Sequence, residues 1–246
     1  MTSYIQKVNA EMCDYILTLK RDEFFKLFPR KQHKQDDSDI YGLTYYNKVI
    51  QTLRAFKQKG YSLQIGYSYS IINPDKGRLF TNIGLQNIDK EVRSALTQGI
   101  YHDYDMKNAH PNILLQMCKE NNIISCEYLK LYCSNRAEFL EDNNISKSEI
   151  LKILNQDKPK KSKYSTEVQN FINQINDIKK KLYPLIKDKY NIKPDSKNPM
   201  SSCFNNHWCH LENQLLQDAL KKCDPSKIGV LMFDGCLLYT SDAADE

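Results

Sequence analysis

Two aspartates stand at the ends of short apolar runs, a position from which carboxylates often do chemistry. Asp105 ends the run Ile-Tyr-His-Asp-Tyr-Asp, and Asp234 ends the run Val-Leu-Met-Phe-Asp. If both runs are strands of one sheet, the carboxylates emerge at neighbouring strand ends, where they repel each other unless divalent cations bridge them. Two Mg²⁺ ions held in this way suit phosphoryl transfer. The alternative is that each aspartate caps a turn or a helix.

A second candidate is the segment CFNNHWCH, which concentrates cysteine and histidine. A zinc site requires side chains that converge tetrahedrally, and on a helix one cysteine of this segment faces away from the other three candidates. Core packing is therefore the favoured interpretation, because cysteine and histidine more often fill a core or contact a neighbour. The candidates are Cys203, His207, Cys209 and His210.

The elements that must position the two aspartates follow from the hydrophobic pattern. We expect helices over residues 1–60, then a strand or hairpin over residues 60–74 and a turn at residues 73–77. Short strands are expected over residues 99–106 and 228–235. Pro111 opens a helix between them, and residues 127–193 carry a helical period. The order of elements predicts an α+β fold.

The composition limits the classes of protein to which the chain can belong. The chain has 246 residues, of which 41% are hydrophobic, so it folds. It contains no apolar stretch of eighteen residues and no signal-peptide core, which predicts no membrane partner. Eight cysteines without a C-x-x-C pair indicate reduced thiols, and we expect an intracellular protein in the cytoplasm or at a viral replication site. The net charge of +5 permits a polyanionic partner without demanding one.

Two lysine-rich segments add to this charge. They span residues 158–164 and 177–182. Such segments provide a surface that follows nucleic-acid phosphates or serve solubility only, and the sequence leaves both interpretations open.

Residues 77–96 resemble the segment of family A DNA polymerases that leads into the palm. Three short submotifs match in order and spacing, while Ile83-Gly84 replaces the usual Pro-Asn. The submotifs are Gly77-Arg78-Leu79, Leu85-Gln86-Asn87-Ile88 and Arg93-Ser94-Ala95-Leu96.

This resemblance implies that four polar residues contact primer–template DNA through its phosphates and minor groove. The alternative for Gln86 and Asn87 is that they are turn residues that satisfy local backbone groups. The four residues are Arg78, Gln86, Asn87 and Arg93.

The segment DYDMKNAHPNIL resembles motif A of these polymerases and places Asp105 at the metal-binding aspartate. It also resembles the family B form, in which a bulky side chain stands five residues later. The resemblance implies that His110 excludes the ribose 2′-hydroxyl. The alternative is a histidine at a helix start that donates to a backbone group.

The segment SKSEILKILNQD resembles motif B, which implies that Lys147, Lys152 and Asn155 contact the incoming nucleotide. Lysine replaces the arginine of that motif, and Gln156-Asp157 replaces its Phe-Gly. The alternative is a solvated helix face.

The segment VLMFDG resembles motif C, with Phe233 in place of histidine and Gly235 in place of glutamate. Together the motifs imply a divergent, virus- or mobile-element-like DNA polymerase. In it, Asp105 and Asp234 hold two Mg²⁺ ions while a deoxynucleoside triphosphate joins the primer 3′-hydroxyl. A non-catalytic, polymerase-derived nucleic-acid-binding module is the alternative, and a nuclease that uses the same aspartates ranks last.

The resemblance also implies a right-hand polymerase architecture with an antiparallel palm sheet.

The last eleven residues match the translation of a sequencing adapter. We therefore expect the native sequence to end at Gly235 and the fragment to have little activity. The alternative is a real strand followed by an acidic tail. The expected regions are a helical N-terminal, thumb-like region (1–76), palm (77–116), helical fingers-like insertion (117–195), truncated palm (196–235) and adapter (236–246).

Overall fold

The computed structural model describes residues 2–29, 39–160 and 162–240, and it leaves out the side chains of residues 39–42. The chain divides into two compact units. The first comprises the described parts of Met1–Ser68, Leu79–Asp105 and Asp218–Glu246, and the second comprises Tyr69–Arg78 and Met106–Gln217. Among the described residues, no helix has both the length and the apolar character needed to cross a membrane.

The first unit contains the strands of the described chain and four helices. These elements are β1 (Thr2–Lys7), α1 (Ala10–Thr18), α2 (Arg21–Leu27), α3 (Asp39–Gln58), β2 (Ser62–Tyr67), α4 (Lys90–Thr97), β3 (Tyr101–Asp105), β4 (Ile228–Leu231) and β5 (Gly235–Tyr239).

Strand β1 corrects the expectation of a wholly helical N-terminal region. It pairs antiparallel with β2, from Thr2 opposite Tyr67 to Lys7 opposite Ser62. The partner strand lies some sixty residues away in the sequence, so the local pattern of a six-residue segment carries little information about this pairing. The helix and strand expected near residues 44–74 are confirmed as α3 and β2.

A three-stranded antiparallel sheet has the strand order β3-β5-β4. The strand expected at residues 99–106 is confirmed as β3, and Asp105 at its end pairs with Gly235 at the start of β5. Strand β4 stops at Leu231, and the backbone N–H of Met232 donates to the carbonyl of Gly235 at 2.9 Å. Asp234 therefore lies in a hairpin turn, rather than at the end of a single strand over residues 228–235.

The core of the first unit joins both sheets to the helices. Apolar side chains of α1, α3 and α4 meet those of β4 and β5, all 4% exposed or less. This packing holds α4 against the three-stranded sheet. The central members are Cys13, Leu53, Phe56, Val92, Leu96, Val230 and Leu237.

The second unit is helical. Its helices are α5 (Ala109–Glu120), α6 (Glu127–Ser134), α7 (Arg136–Asp142), α8 (Lys147–Leu154), α9 (Thr166–Leu182) and α10 (Pro199–Leu220), the last of which reaches three residues into the first unit.

Local signals explain several of these boundaries. Pro111 stands in the first turn of α5, where a missing N–H costs nothing. A reciprocal capping box joins Ser146 and Glu149 at the start of α8. The turn expected at residues 73–77 is confirmed, since Gly77 has a φ of 95°. An aromatic core that includes Trp208 holds the helices together.

The α+β class is therefore confirmed. The expected regional boundaries stay predictions. Residues 236–239 belong to β5 and contact both neighbouring strands, while residues 241–246 lie outside the described part of the chain. The adapter origin of the last eleven residues also stays a prediction.

Candidate metal and nucleic-acid site

The two predicted aspartates lie at adjoining ends of β3 and β5. Asp105 pairs directly with Gly235, and Asp234 is the preceding residue in the turn. A Cβ placed on Gly235 would lie 3.0 Å from the Cα of Asp105 and 2.1 Å from the carbonyl oxygen of Tyr104. The two backbones thus approach as closely as glycine allows, with Asp105 exposed and Asp234 half-buried.

Side-chain hydrogen bonds hold the hairpin that carries Asp234. The Tyr67 hydroxyl accepts from the Leu231 backbone N–H at 3.1 Å, and the Gln86 amide donates to the Leu231 carbonyl at 2.9 Å. Phe233 in the turn contacts Phe80, with ring centroids 5.7 Å apart. Both the N–H and the carbonyl of Leu231, the last residue of β4, are thus hydrogen-bonded to side chains of neighbouring elements.

A cavity lined by charged residues of both signs opens on the face of the sheet on which Asp105 lies. Alternation along β3 places Asp103 and Asp105 on one face. A cavity of about 370 Å³ lies between that face and α4, and its lining includes Asp103, Lys90 and Arg93. Burial lowers the pKa of Arg93, but a guanidinium stays charged in proteins. Two basic groups, Lys90 and Arg93, therefore line a cavity on the same face of the sheet as Asp105.

Gln86 and Asn87, the predicted DNA contacts, make the bonds of turn residues. The Gln86 amide donates to the carbonyl of Leu79 at 3.1 Å, in addition to its bond with β4, and its oxygen accepts from Thr81 N–H at 3.2 Å. Asn87 donates to the Thr81 carbonyl at 2.8 Å. Arg93 donates to the Ile88 carbonyl at 2.7 Å. A DNA contact by these residues stays a prediction.

His110 and Arg78 lie together in the second unit around a buried glutamate. The His110 Nε2 is 3.4 Å from Oε1 of Glu212, and the Arg78 Nε and Nη2 are 2.7 and 2.6 Å from its Oε2. Cys209 Sγ is 3.9 Å from the His110 Nε2. Sequence reasoning missed Glu212. Its position three residues after Cys209, among the apolar residues of α10, was the available signal.

The residues assigned to nucleotide contact by the motif B resemblance lie on the surface of α8. Lys147, Lys152 and Asn155 are exposed. Asn155 follows the helix, and its side-chain amide donates to the carbonyl of Leu151 at 2.9 Å. These positions also fit the solvated-face alternative, and nucleotide contact stays a prediction.

The cysteines and histidines of α10 do not form one ligand cluster. Cys203 donates to the carbonyl of Ile186 at 3.3 Å, and His207 Nδ1 is 2.8 Å from the Tyr190 hydroxyl. His210 Nδ1 accepts from a backbone N–H in the second unit at 3.2 Å. Only Cys209, of the four candidates, joins the group of ligand atoms found in the described residues.

Two lysines of the lysine-rich segments make specific contacts within the protein. Lys163 pairs with Glu149 at 2.9 Å. Lys179 is fully buried and donates to the carbonyls of Leu154 and Gln156, both at 3.0 Å, and to Ser201. Lys179 therefore cannot contribute to a phosphate-contacting surface, and Lys161 lies outside the described residues.

Comparison with known proteins gives one significant match. The chain is 30% identical over 226 residues to the protein named "Putative helicase V13" of Sputnik virophage. The alignment covers 79% of this chain and 28% of that protein, so the chain spans little more than a quarter of the curated relative that it matches. No family model and no solved structure matches the chain.

The match corrects the family assignment. The identification as a divergent family A DNA polymerase is wrong, because the relative is named a helicase and no polymerase family model matches. Polymerase activity, nucleotidyl transfer and the polymerase-derived binding module are withdrawn with it. The matched submotifs are only three or four residues long, and Gln86 and Asn87 within them satisfy a local turn. Short turn-forming segments of this kind can match without common descent.

Proposed function

We propose that the chain is a nucleic-acid-binding part of a larger helicase-like enzyme, and that Asp105 and Asp234 hold Mg²⁺ against the phosphate backbone of the bound strand. The pairing of Asp105 with Gly235 is the observation that carries this proposal. The name of the virophage relative supports nucleic acid as the partner and a virus-infected cell as the setting.

The two aspartates fit the preferences of Mg²⁺. This cation favours oxygen ligands, keeps several waters, and is usually bound by one or two carboxylates together with phosphate oxygens. Asp105 is exposed, which leaves room for a phosphate group beside it. When bound, Mg²⁺ would neutralise the repulsion between the carboxylates and the phosphate. The two Mg²⁺ ions expected at Asp105 and Asp234 would take water and phosphate oxygens as their remaining ligands.

Arg93 supports the same partner. It lines the cavity on the sheet face of Asp105, together with Lys90. Arginine binds phosphate oxygens through a planar set of donors. A strand that follows this face would meet the Arg93 guanidinium, so Arg93 would contribute affinity that does not depend on the metal.

The test is the binding of fluorescently labelled single-stranded DNA, duplex DNA and RNA, measured by anisotropy in Mg²⁺ and in EDTA. We expect Mg²⁺ to tighten binding about tenfold, which corresponds to about 1.4 kcal/mol. Asp105→Asn and Asp234→Asn should each remove this gain. Arg93→Ala should weaken binding in both conditions, with a smaller salt dependence.

Asp218→Asn is the matched control, because it makes the same charge change at an exposed helical site paired with Lys221. It should keep the Mg²⁺ gain. If the Asp105 and Asp234 variants also keep that gain, the metal role is wrong. If no nucleic acid binds in either condition, the partner is wrong as well.

A further inference from the structure

A second group of ligand atoms lies within the second unit. It consists of His110 on α5 and of Cys209 and Glu212 on α10, and the three ligand atoms all lie within 4.8 Å of one another. We propose that these residues bind a zinc ion. The site shares no residue with the aspartate pair or with Arg93.

Two of the three separations between the ligand atoms are close to those of a tetrahedral zinc site. Bonds of about 2.0–2.2 Å to nitrogen and oxygen and about 2.3 Å to sulfur give tetrahedral edges of roughly 3.4 Å between N and O and roughly 3.6 Å between S and N. The observed His110–Glu212 separation is 3.4 Å, and the Cys209–His110 separation is 3.9 Å. The imidazole and the carboxylate are already correctly spaced. The thiol must move a few tenths of an ångström closer to the imidazole nitrogen, and its sulfur lies within 4.8 Å of the carboxylate oxygen.

The fold brings the three ligands together for local reasons. Cys209 and Glu212 are three residues apart on α10 and therefore share one face of that helix. The His110 ring packs against the buried Trp208 ring, with centroids 5.4 Å apart. The side chain of Glu212 is only 1% exposed. A carboxylate buried to this degree requires positive charge beside it.

Arg78 supplies part of this charge and orients the carboxylate. Its Nε and Nη2 both contact Oε2 of Glu212, while Oε1 faces His110. Carboxylates that bind metals are commonly held in this way by a hydrogen-bonding neighbour. We therefore assign Arg78 as a positioning residue that directs Oε1 toward the ion.

The ligand types select zinc over magnesium. Thiolate and imidazole suit zinc, whereas magnesium takes oxygen ligands. Three protein ligands would leave the fourth tetrahedral position to water. The competing arrangement is a hydrogen-bonded network of His110, Glu212 and Arg78 without an ion, and the experiment must separate the two.

The first measurement is X-ray absorption at the zinc edge, on the complete wild-type chain loaded with one equivalent of Zn²⁺. We expect one sulfur neighbour at about 2.3 Å and nitrogen or oxygen neighbours at about 2.0–2.1 Å. A shell without sulfur, or failure to retain zinc against a weak chelator, would overturn the proposal in favour of the ion-free network. This measurement requires no variant to fold.

The second measurement is Co²⁺ binding, followed by its tetrahedral visible bands and its thiolate charge-transfer band. Cys209→Ser should remove the charge-transfer band, and Cys133→Ser, the matched thiol control, should keep it. Arg78→Gln should lower zinc affinity by about 10- to 100-fold, as expected for a positioning residue. A charge-transfer band that persists in Cys209→Ser would contradict the assignment.

Discussion

Replacement of Gly235 by alanine should separate the two aspartates. The added Cβ would lie 2.1 Å from the Tyr104 carbonyl oxygen and 3.0 Å from the Asp105 Cα. Non-bonded heavy atoms prefer about 3.5–4.0 Å, so the start of β5 must move away from β3 by roughly 1 Å or more. Both contacting atoms belong to the backbone, and rotation of a side chain therefore cannot relieve the clash.

This clash lowers the free energy of unfolding. Overpacking of a close-packed site typically costs about 1–3 kcal/mol. We expect the upper end, about 3 kcal/mol, because the clash is with the backbone of the paired strand. A domain with a free energy of unfolding of about 5–15 kcal/mol remains folded after this loss. The variant should therefore be folded, with a displaced hairpin and a displaced Asp234.

Two assays read out the effect. Urea unfolding should show the loss of about 3 kcal/mol, and anisotropy should show that Mg²⁺ no longer tightens nucleic-acid binding. Gly60→Ala is the control, because Gly60 has a φ of 66° and a Cβ added there would meet no atom within 4 Å. It should cost about 1–2 kcal/mol through backbone strain and keep the Mg²⁺ effect. A Gly235→Ala protein with unchanged stability and unchanged Mg²⁺ dependence would refute the reasoning.

Three further outcomes are expected. Gln86→Ala should lower the free energy of unfolding by about 2–3 kcal/mol in urea, because buried groups that include the Leu231 carbonyl lose a partner; a loss below about 0.5 kcal/mol would contradict this. Burial lowers the pKa of Lys179 from 10.5 to about 8, so between these pH values the unfolded chain binds more protons than the folded chain and the free energy of unfolding rises with pH. Lys179→Met should lack this rise. Parallel pH profiles of the two proteins would disprove the lowered pKa of Lys179. Ser146→Ala should cost about 1 kcal/mol by removing the cap of α8, as measured by thermal unfolding, whereas an unchanged Tm would argue against the cap.

Local patterns predicted the elements whose structure depends on local interactions. The apolar period of α3 and the short apolar run of β3 are visible in the sequence. Strand β1 was missed because its partner β2 is remote in the chain, and pairing with a remote partner leaves no local periodic signal. The lysine-rich pattern suggests a surface position for Lys179, although this residue stands four residues after the buried Ile175 on α9 and so falls on the apolar face.

The site was predicted in part. The proximity of Asp105 and Asp234 was expected from two strand ends, whereas in the structure Asp234 precedes the start of β5, and that start pairs with the end of β3. Glu212 was missed because a single glutamate in a helix does not reveal its burial or its partners, which come from α5 and from Arg78. The family assignment failed because short motifs reflect turn chemistry as readily as descent.

The most direct test of the central claim is a double-mutant cycle on metal binding. Mn²⁺, which is visible by electron paramagnetic resonance, replaces Mg²⁺ in the presence of a bound oligonucleotide. If Asp105 and Asp234 share the cation, each asparagine variant weakens Mn²⁺ binding and the double variant is little worse than either single variant. Additive losses, or full affinity in either single variant, would contradict a shared site.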